Sequence, residues 1–253
     1  MFDVAIFAAL GWERRALTGA LRAVEPAPGP AWRGRLADGA TCVVVQTGIG
    51  PSRAGAAAAA APAAGVFLAC GCAGALVDWL AAGDLIAAES VIALDANGRA
   101  AERLPACGTA LAGWASGRGF RVHAGTVVAS PVVLDSAAAK AALGATGALA
   151  VDMESGALAA AARNRGIPFA GLRVVLDEVG LTLPPELAVM DGASGELRAG
   201  RAVAVLALRP RLWPTAARLA RGQRVAARGL ATIMAALDME AFAAPAAASA
   251  AGA

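Results

Sequence analysis

Acidic side chains stand where predicted strands end, and they are the residues of this sequence best suited to chemistry. Glu13 follows the first predicted strand at the start of a helix, and Asp177 ends a late strand. Asp152 and Glu154 flank Met153 where another strand becomes a helix. Burying acids without partners is costly, so acids in such apolar surroundings need a purpose. Carboxylates can accept hydrogen bonds from a sugar diol and can transfer protons, although Asp152 and Glu154 would also serve as helix N-terminal acids.

Other residue types that often carry catalysis are scarce. The chain has 253 residues with one histidine, His123, one lysine, Lys140, and no tyrosine, which excludes a multi-histidine metal site and a tyrosine base. The four cysteines show no CxxC spacing, and reduced thiols in a cytoplasm are the simpler interpretation. We interpret His123 as a surface or hydrogen-bonded strand histidine. No metal or other cofactor is expected, and acid–base chemistry must depend on carboxylates.

Two strings rich in small residues could bring the backbone close to a ligand. Thr47 to Gly50, with Gly48 at its centre, could cradle an anion or a ribose by its amides, although a structural turn explains it too. Cys72, Ala73 and Gly74 follow a predicted strand, where glycine allows close approach to a ligand and close helix packing is the alternative. A nucleophilic role for Cys72 is disfavoured because nothing ties it to the lone histidine.

Arg173 stands in a predicted strand between Leu172 and Val174. An inward guanidinium there demands a carboxylate or a polar ligand. A structural ion pair with Glu13 or Glu154 is one interpretation, and a catalytic role beside those acids is the other.

The elements that must position these residues alternate between strand and helix. This alternation predicts an α/β fold with three layers, in which a central mixed, mostly parallel twisted sheet carries helices on both faces. Ligands of such sheets bind beyond the carboxyl ends of strands, where the candidate residues stand. Predicted strands are residues 3–9, 36–37, 41–46, 66–71, 83–94, 122–129, 149–153 and 169–176, and predicted helices are 12–23, one beginning near Pro51, 111–117, 136–143 and 154–165.

Positive charge is concentrated near the C-terminus. Residues 198 to 228 contain eight arginines and no acid, whereas the other 14 basic residues are outnumbered by 19 acidic ones. Nucleic-acid binding is disfavoured because Trp213 is the only aromatic residue among these bases. We predict one domain over residues 1–240, with a basic helical segment at 198–237 and a disordered alanine-rich tail at 241–253. Pro62 and Gly65 argue against a membrane helix in the uncharged stretch 54–77.

Taken in order, these strings resemble the purine nucleoside phosphorylase and methylthioadenosine/S-adenosylhomocysteine nucleosidase superfamily over roughly residues 1 to 180. The strings are Ala8-Ala9-Leu10 with Glu13, Thr47-Gly48-Ile49-Gly50, Gly71-Cys72-Ala73-Gly74-Ala75, Ala150-Val151-Asp152-Met153-Glu154-Ser155, and Ile167-Pro168-Phe169 through Arg173 to Asp177. The Arg-rich C-terminal segment is similar to the branch associated with hopanoid biosynthesis, in which adenine is removed from adenosylhopane.

The resemblance implies cleavage of an N-ribosidic bond. Asp177 would protonate the departing adenine at N7, and Glu154 with the backbone at Met153 would hold the ribose hydroxyls. Glu13 would orient or deprotonate a water, with Arg173 nearby. Water is favoured as the nucleophile, and inorganic phosphate would be the co-substrate of the phosphorolytic alternative. Alternatives to adenosylhopane are methylthioadenosine, S-adenosylhomocysteine or futalosine hydrolysis, purine nucleoside phosphorolysis, and non-catalytic nucleoside binding.

The sequence departs from the family at two places. Cys72 replaces a small hydroxyl residue, and the stretch around Val133 replaces an aromatic residue that would stack on the purine. The resemblance further implies a homo-oligomer, expected to be a dimer, and the cysteine pattern favours the cytoplasm. Residues 198–228 could contact the inner face of an anionic membrane through their arginines and through Leu206, Leu208, Leu212, Trp213, Leu219 and Val225. The alternative is a solvated helix whose leucines pack on the domain.

Overall fold

The computed structural model describes residues 1–134, 136–181 and 208–243. Ten strands and six α-helices lie within these residues. The strands are β1 Phe2–Ala8, β2 Arg22–Ala27, β3 Ala31–Arg35, β4 Thr41–Gln46, β5 Ala64–Ala75, β6 Leu85–Leu94, β7 Ala100–Pro105, β8 Val122–Ala129, β9 Ala148–Asp152 and β10 Phe169–Asp177. The helices are α1 Gly11–Ala20, α2 Pro51–Ala60, α3 Gly108–Gly117, α4 Ala137–Gly144, α5 Ser155–Asn164 and α6 Trp213–Ala236.

Most elements lie where the hydrophobic pattern predicts them, and two strands, β2 and β7, lie where none was predicted. β2 and β7 were not predicted, because almost all of their residues are exposed and their sequences lack an alternating pattern. The predicted strands 36–37 and 41–46 correspond to β3 and β4, which pair antiparallel around a turn at Asp38-Gly39, but β3 ends at Arg35 rather than covering residues 36–37. β5 runs on to Ala75, so Cys72 to Gly74 lie inside the strand rather than after it.

The sheet is mixed, as predicted, and part of it closes on itself. β5 pairs in parallel with β1 and β10, and the last residues of β5 also pair with β9. The order β5–β10–β6–β8–β9 therefore returns to β5, while β1, β4, β3 and β2 extend the sheet from the other side of β5. The parallel register aligns Ala8 with Gln46 and Asp177 with Gly74, so that the carboxyl ends of β1, β4, β5 and β10 meet at one edge.

Helices cover both faces of this sheet. Along β1, Ala5 and Phe7 face a core that includes residues of α2 and α5. Val4 and Ile6 face a second core that includes residues of α1, α3 and α6. Both cores form because successive side chains of a strand point to opposite faces, so a continuous apolar strand is buried on both sides. The predicted layered α/β class is confirmed.

The basic C-terminal segment is helical in its described part. Pro214 lies in the first turn of α6, where proline is tolerated. Gly222, Ala226 and Leu230 are buried against the domain, whereas the arginines at 218, 221, 224 and 228 are exposed on the opposite face. Residues 198–207 lie outside the described residues. No helix within the described ranges has the length and apolar character to cross a membrane.

The start of the predicted disordered tail is wrong. Met239–Phe242 forms a 3-10 helix, in which Ala241 is buried and Asp238 caps the first turn. The Asp38 carboxylate accepts a hydrogen bond from the Met239 amide at 2.9 Å, which attaches this turn to the β3–β4 hairpin. The remainder of the predicted tail, residues 244–253, lies outside the described residues.

Candidate active site

Glu13 is a buried carboxylate held by backbone amides that follow β1 and by one inside β5. Its Oε2 accepts hydrogen bonds from the amides of Ala9 and Leu10, both at 2.9 Å. Its Oε1 accepts one from the amide of Cys72 at 2.8 Å. The Cys72 side chain is a further hydrogen-bond partner of this carboxylate. A Cβ at Gly71 would lie 2.9 Å from Oε1, which explains the glycine there.

The glycine turn after β4 does not form the predicted amide cradle. The amide of Thr47 donates to the Ala8 carbonyl and that of Gly48 to the Ala9 carbonyl. The amide of Gly50 donates to Oε1 of Glu154 at 2.8 Å. These three donors are satisfied by protein acceptors, so the turn positions Glu154 instead of binding an anion. Both glycines adopt positive φ angles, 76° at Gly48 and 99° at Gly50, which favours glycine.

Glu154 is buried close to other charges. Burial, followed by the repulsion of the Asp152 carboxylate, raises the pKa of Glu154 to about 7, although Arg173 and the Gly50 amide act in the opposite direction. Its carboxyl group is therefore poised between the neutral and the charged form near neutral pH. In either form it can bind a sugar hydroxyl, because both forms retain acceptor oxygens.

This raised pKa makes the stability of the protein depend on pH. An unfolded glutamate loses its proton near pH 4.5, whereas folded Glu154 keeps it to about pH 7, so stability falls as pH rises through that window. Glutamine does not titrate, so Glu154→Gln should lack this loss. We expect the difference in free energy of unfolding, variant minus wild type, to be larger at pH 8 than at pH 5 by up to about 3 kcal/mol. Urea unfolding at both pH values measures this difference. The surface variant Glu25→Gln is the control, and a Glu154→Gln effect that is equal at both pH values would contradict the expectation.

Arg173 pairs with Asp152, and the predicted pairing with Glu13 or Glu154 is wrong. Nε of Arg173 forms an ion pair with Oδ2 of Asp152 at 2.7 Å. The Nε–H group does not form a hydrogen bond with that oxygen. Nη2 donates to Oγ of Ser155 at 2.8 Å, and that hydroxyl donates to Oδ2 of Asp152. Oδ1 of Asp152 accepts from the Ser155 amide at 3.0 Å, so this aspartate binds the first amide of α5, although the N-cap residue is Glu154.

Asp177 lies at the end of β10 beside Gly74 of β5. A Cβ on Gly74 would lie 3.4 Å from each carboxylate oxygen of Asp177. Oδ2 forms an ion pair with Nζ of Lys140, which is buried with a relative exposure of 2%. Lys140 was not predicted as a site residue. A signal was present, since Lys140 is the only charged residue of the otherwise apolar helix α4.

A cavity of about 260 Å³ joins these groups. Eight of the predicted site residues line it, namely Glu13, Cys72, Gly74, Val133, Asp152, Met153, Glu154 and Asp177. Gly48, Ala73 and Arg173 do not. Ala73 is buried among the side chains of the opposite sheet face, as the alternation along β5 requires. Within the described residues, Lys140 is the only cationic side chain among the lining residues.

Most of the remaining cavity wall is apolar, and α6 contributes part of it. The predicted stretch around Val133 forms part of the wall, and Trp12 supplies an aromatic side chain that was not predicted. Leu219 and Gln223 of α6 also line the cavity, so Leu219 faces the site rather than a membrane surface. Leu212 is buried as well, which removes two residues from the predicted membrane-facing set. The apolar lining residues include Leu10, Trp12, Ile49, Val132, Val133, Leu134, Leu176, Leu181 and Leu219.

Cys72 and His123 are not equipped for nucleophilic catalysis. Burial, together with the nearby Glu13 carboxylate, raises the pKa of the Cys72 thiol well above its ordinary value, which disfavours the reactive thiolate. His123 makes an edge-to-face contact with Trp79, with ring centroids 4.9 Å apart. It is not among the residues that line the cavity. Carboxylates and one ammonium group therefore supply the acid–base groups of the described cavity.

A family model described as the phosphorylase superfamily matches residues 3–208. The chain belongs to the phosphorylase superfamily. Its structure resembles that of the 5′-methylthioadenosine/S-adenosylhomocysteine nucleosidase from Neisseria meningitidis, solved with methylthio-immucillin-A, with a TM-score of 0.69. The two sequences are 21% identical, and the alignment covers 93% of this chain and 98% of the Neisseria chain.

The corresponding S. pneumoniae nucleosidase, solved with a transition-state inhibitor, has a TM-score of 0.65 and 19% identity to this phosphorylase-superfamily chain. Here the coverage is 93% of this chain and 100% of the S. pneumoniae chain. At these identities the similarity establishes the fold. A search of curated proteins finds no match to the chain. The predicted superfamily is confirmed by the family match.

Proposed function

We propose that this protein hydrolyses the N-ribosidic bond of a 5′-modified adenosine and releases adenine. The observation that carries the proposal is that Glu13, Glu154 and Asp177, which are far apart in sequence, line one cavity at the carboxyl ends of the strands. The structural neighbours with this fold are nucleosidases for 5′-methylthioadenosine and S-adenosylhomocysteine. Membership of the phosphorylase superfamily supports the same type of bond cleavage.

Each carboxylate has a separate role in the proposed reaction. As the bond between C1′ and the purine nitrogen lengthens, positive charge develops on the sugar and negative charge on the base. Asp177 assists the departure of adenine by delivering a proton to N7. Glu154 binds the ribose hydroxyls with the backbone at Met153. Glu13, which lines the same cavity, orients a water and accepts its proton.

Water is favoured over phosphate by the charges of the cavity. A phosphate dianion requires cationic donors. The one cation that lines the described cavity, Lys140, is already paired with Asp177. Arg173 does not reach the lining and is paired with Asp152. Asp152 together with the three proposed catalytic acids would repel an anionic nucleophile.

The apolar wall supports a large apolar substituent on the 5′ carbon. Trp12, Leu219 and the other apolar lining residues would bury such a group, and burial is worth roughly 25 cal/mol per Å² of apolar surface. We therefore propose adenosylhopane as the substrate, with ribosylhopane as the second product. 5′-Methylthioadenosine is the alternative, because the structural neighbours are nucleosidases for it.

A lipid-linked substrate would be presented at a membrane surface. Arg218, Arg221 and Arg228 are exposed on the outer face of α6, whose inner face lines the cavity. We propose that this outer face makes peripheral contact with anionic lipids at the inner face of the membrane, with the protein otherwise cytoplasmic. The homo-oligomer implied by the family resemblance stays a prediction.

The test is a substrate panel with wild-type protein. Adenosylhopane in vesicles with and without anionic lipid, and 5′-methylthioadenosine in solution, are each incubated with and without inorganic phosphate. We expect free adenine and a free reducing sugar, at a rate that phosphate does not change, with adenosylhopane cleaved fastest in anionic vesicles. Glu13→Gln is the control for background hydrolysis. A sugar phosphate would show phosphorolysis, and the absence of adenine from every adenosine derivative would refute the enzymatic proposal.

A further inference from the structure

Lys140 is a buried cation that the proposed mechanism leaves without a role. It is the only lysine of the chain, it is 2% exposed, and it belongs to a helix of alanine, leucine and glycine. An ammonium group is strongly hydrated, so its burial is costly unless the protein supplies compensating partners. An aliphatic residue at this position of α4 would avoid the cost of burying a charge. The buried ammonium group therefore points to a role in the site.

The ammonium group has three acceptors, all at or after the end of β10. Nζ pairs with Oδ2 of Asp177 and lies 3.2 Å from the carbonyl of Glu178 and 3.4 Å from that of Leu181. Oδ1 of Asp177 accepts no hydrogen bond from the described part of the chain. One carboxylate oxygen is thus bound to Lys140, while the other is available to a ligand in the cavity.

The ion pair raises a question about the acid in the reaction. The proton that joins the two groups is on Nζ of Lys140, which donates it to Oδ2 of Asp177. Asp177 alone cannot protonate adenine from this state.

We infer that Lys140 and Asp177 act as one acid, in which Lys140 stores the proton and Asp177 transfers it to the departing base. This inference rests on the proposed function. An Nζ–H bond breaks and the proton moves to the Asp177 carboxylate, which then donates it to N7 while the electrons of the ribosidic bond move into the purine. The products are a neutral amine, a carboxylate, neutral adenine and a ribosyl cation, which water captures as Glu13 accepts its proton. Exchange with solvent restores Lys140 and Glu13.

Two physical arguments favour this transfer. Nucleoside binding removes water from the ion pair, and an apolar environment favours the neutral amine and carboxylic acid over two charges. The base also becomes more basic as it takes up the bond electrons, because the anion of adenine is a base of about the strength of an amine. An ammonium group is therefore a competent final source of the proton at neutral pH, where it is still charged.

Lys140→Arg separates this role from a purely electrostatic one. A guanidinium keeps the positive charge and can pair with Asp177, but it is not deprotonated in proteins. We expect Lys140→Arg and Lys140→Met both to lower adenine release about 100-fold or more. The substrate is 5′-methylthioadenosine or adenosylhopane, whichever the wild-type protein cleaves. Thermal unfolding of each variant establishes that it is folded at the assay temperature.

A substrate whose leaving group needs no proton provides the second measurement. p-Nitrophenyl β-D-riboside releases a stable phenolate, so both variants should cleave it within about threefold of the wild-type rate. Adenine release by Lys140→Arg at the wild-type rate would overturn the inference, because the charge alone would then suffice. Equal losses on both substrates would overturn it in favour of a structural role. Failure of wild-type protein to release adenine would instead refute the proposed function.

Discussion

Asp177→Asn is expected to lower the rate of adenine release by about 100- to 10,000-fold while substrate binding changes little. Asparagine has nearly the shape of aspartate and keeps an acceptor oxygen for Lys140, but it cannot take up and transfer a proton. Single-turnover kinetics measures the chemical step, and calorimetric titration with 5′-methylthioadenosine or adenosylhopane measures binding. The same comparison separates a catalyst from a non-catalytic nucleoside-binding module.

A control carboxylate is available far from the cavity. Glu25 forms an exposed ion pair with Arg33, in which both side chains are 60% exposed. Glu25→Gln should release adenine at the wild-type rate, since it alters no residue of the cavity. If Asp177→Asn also released adenine at the wild-type rate, the assignment of the acid would be wrong.

The largest effect on stability is expected from Arg173→Met. This change leaves the carboxylate of Asp152, whose side chain is 1% exposed, without its cation in the interior. Removing one partner of a buried ion pair costs about 3 to 5 kcal/mol in the free energy of unfolding. Urea unfolding at pH 7 measures this cost.

Arg163→Met is the matched control. Arg163 forms an ion pair with Glu102, and the two side chains are 51% and 42% exposed. Its removal should cost less than about 1 kcal/mol, because solvent already screens the pair. The double variant Asp152→Asn, Arg173→Met should recover part of the loss, since no buried charge is then left unpaired. Equal losses from Arg173→Met and Arg163→Met would contradict a buried structural role for Arg173.

The position of the Glu13 carboxylate illustrates how much of the site could be predicted. The pattern of apolar residues placed Glu13 after β1 and Asp177 at the end of β10, because short-range periodicity distinguishes strands from helices. The hydrogen bond between Oε1 of Glu13 and the amide of Cys72 spans 59 residues, and nothing in the local pattern indicates it. The same is true of the contact between Glu154 and Gly50, which spans 104 residues.

The incorrect predictions have the same origin. The Thr47 to Gly50 turn has the composition of an anion-binding loop as well as that of a structural turn, and its amides donate to the carbonyls of Ala8 and Ala9 and to Glu154. Arg173 required a carboxylate partner, but several acids were equally plausible until the register of β10 was known. β2 and β7 are paired strands whose exposed residues carry no hydrophobic pattern.

By itself the sequence determined the α/β class, the superfamily resemblance, and the acids at the strand ends, since each of these depends on residue type and on spacing within a short segment. Only the tertiary structure decided that Arg173 pairs with Asp152, that Lys140 is joined to Asp177, and that α6 completes the cavity wall. Partners of this kind are set by strand order and register, which bring together side chains that are distant along the chain. The energy of a buried charge depends on those neighbours rather than on the residues beside it in sequence.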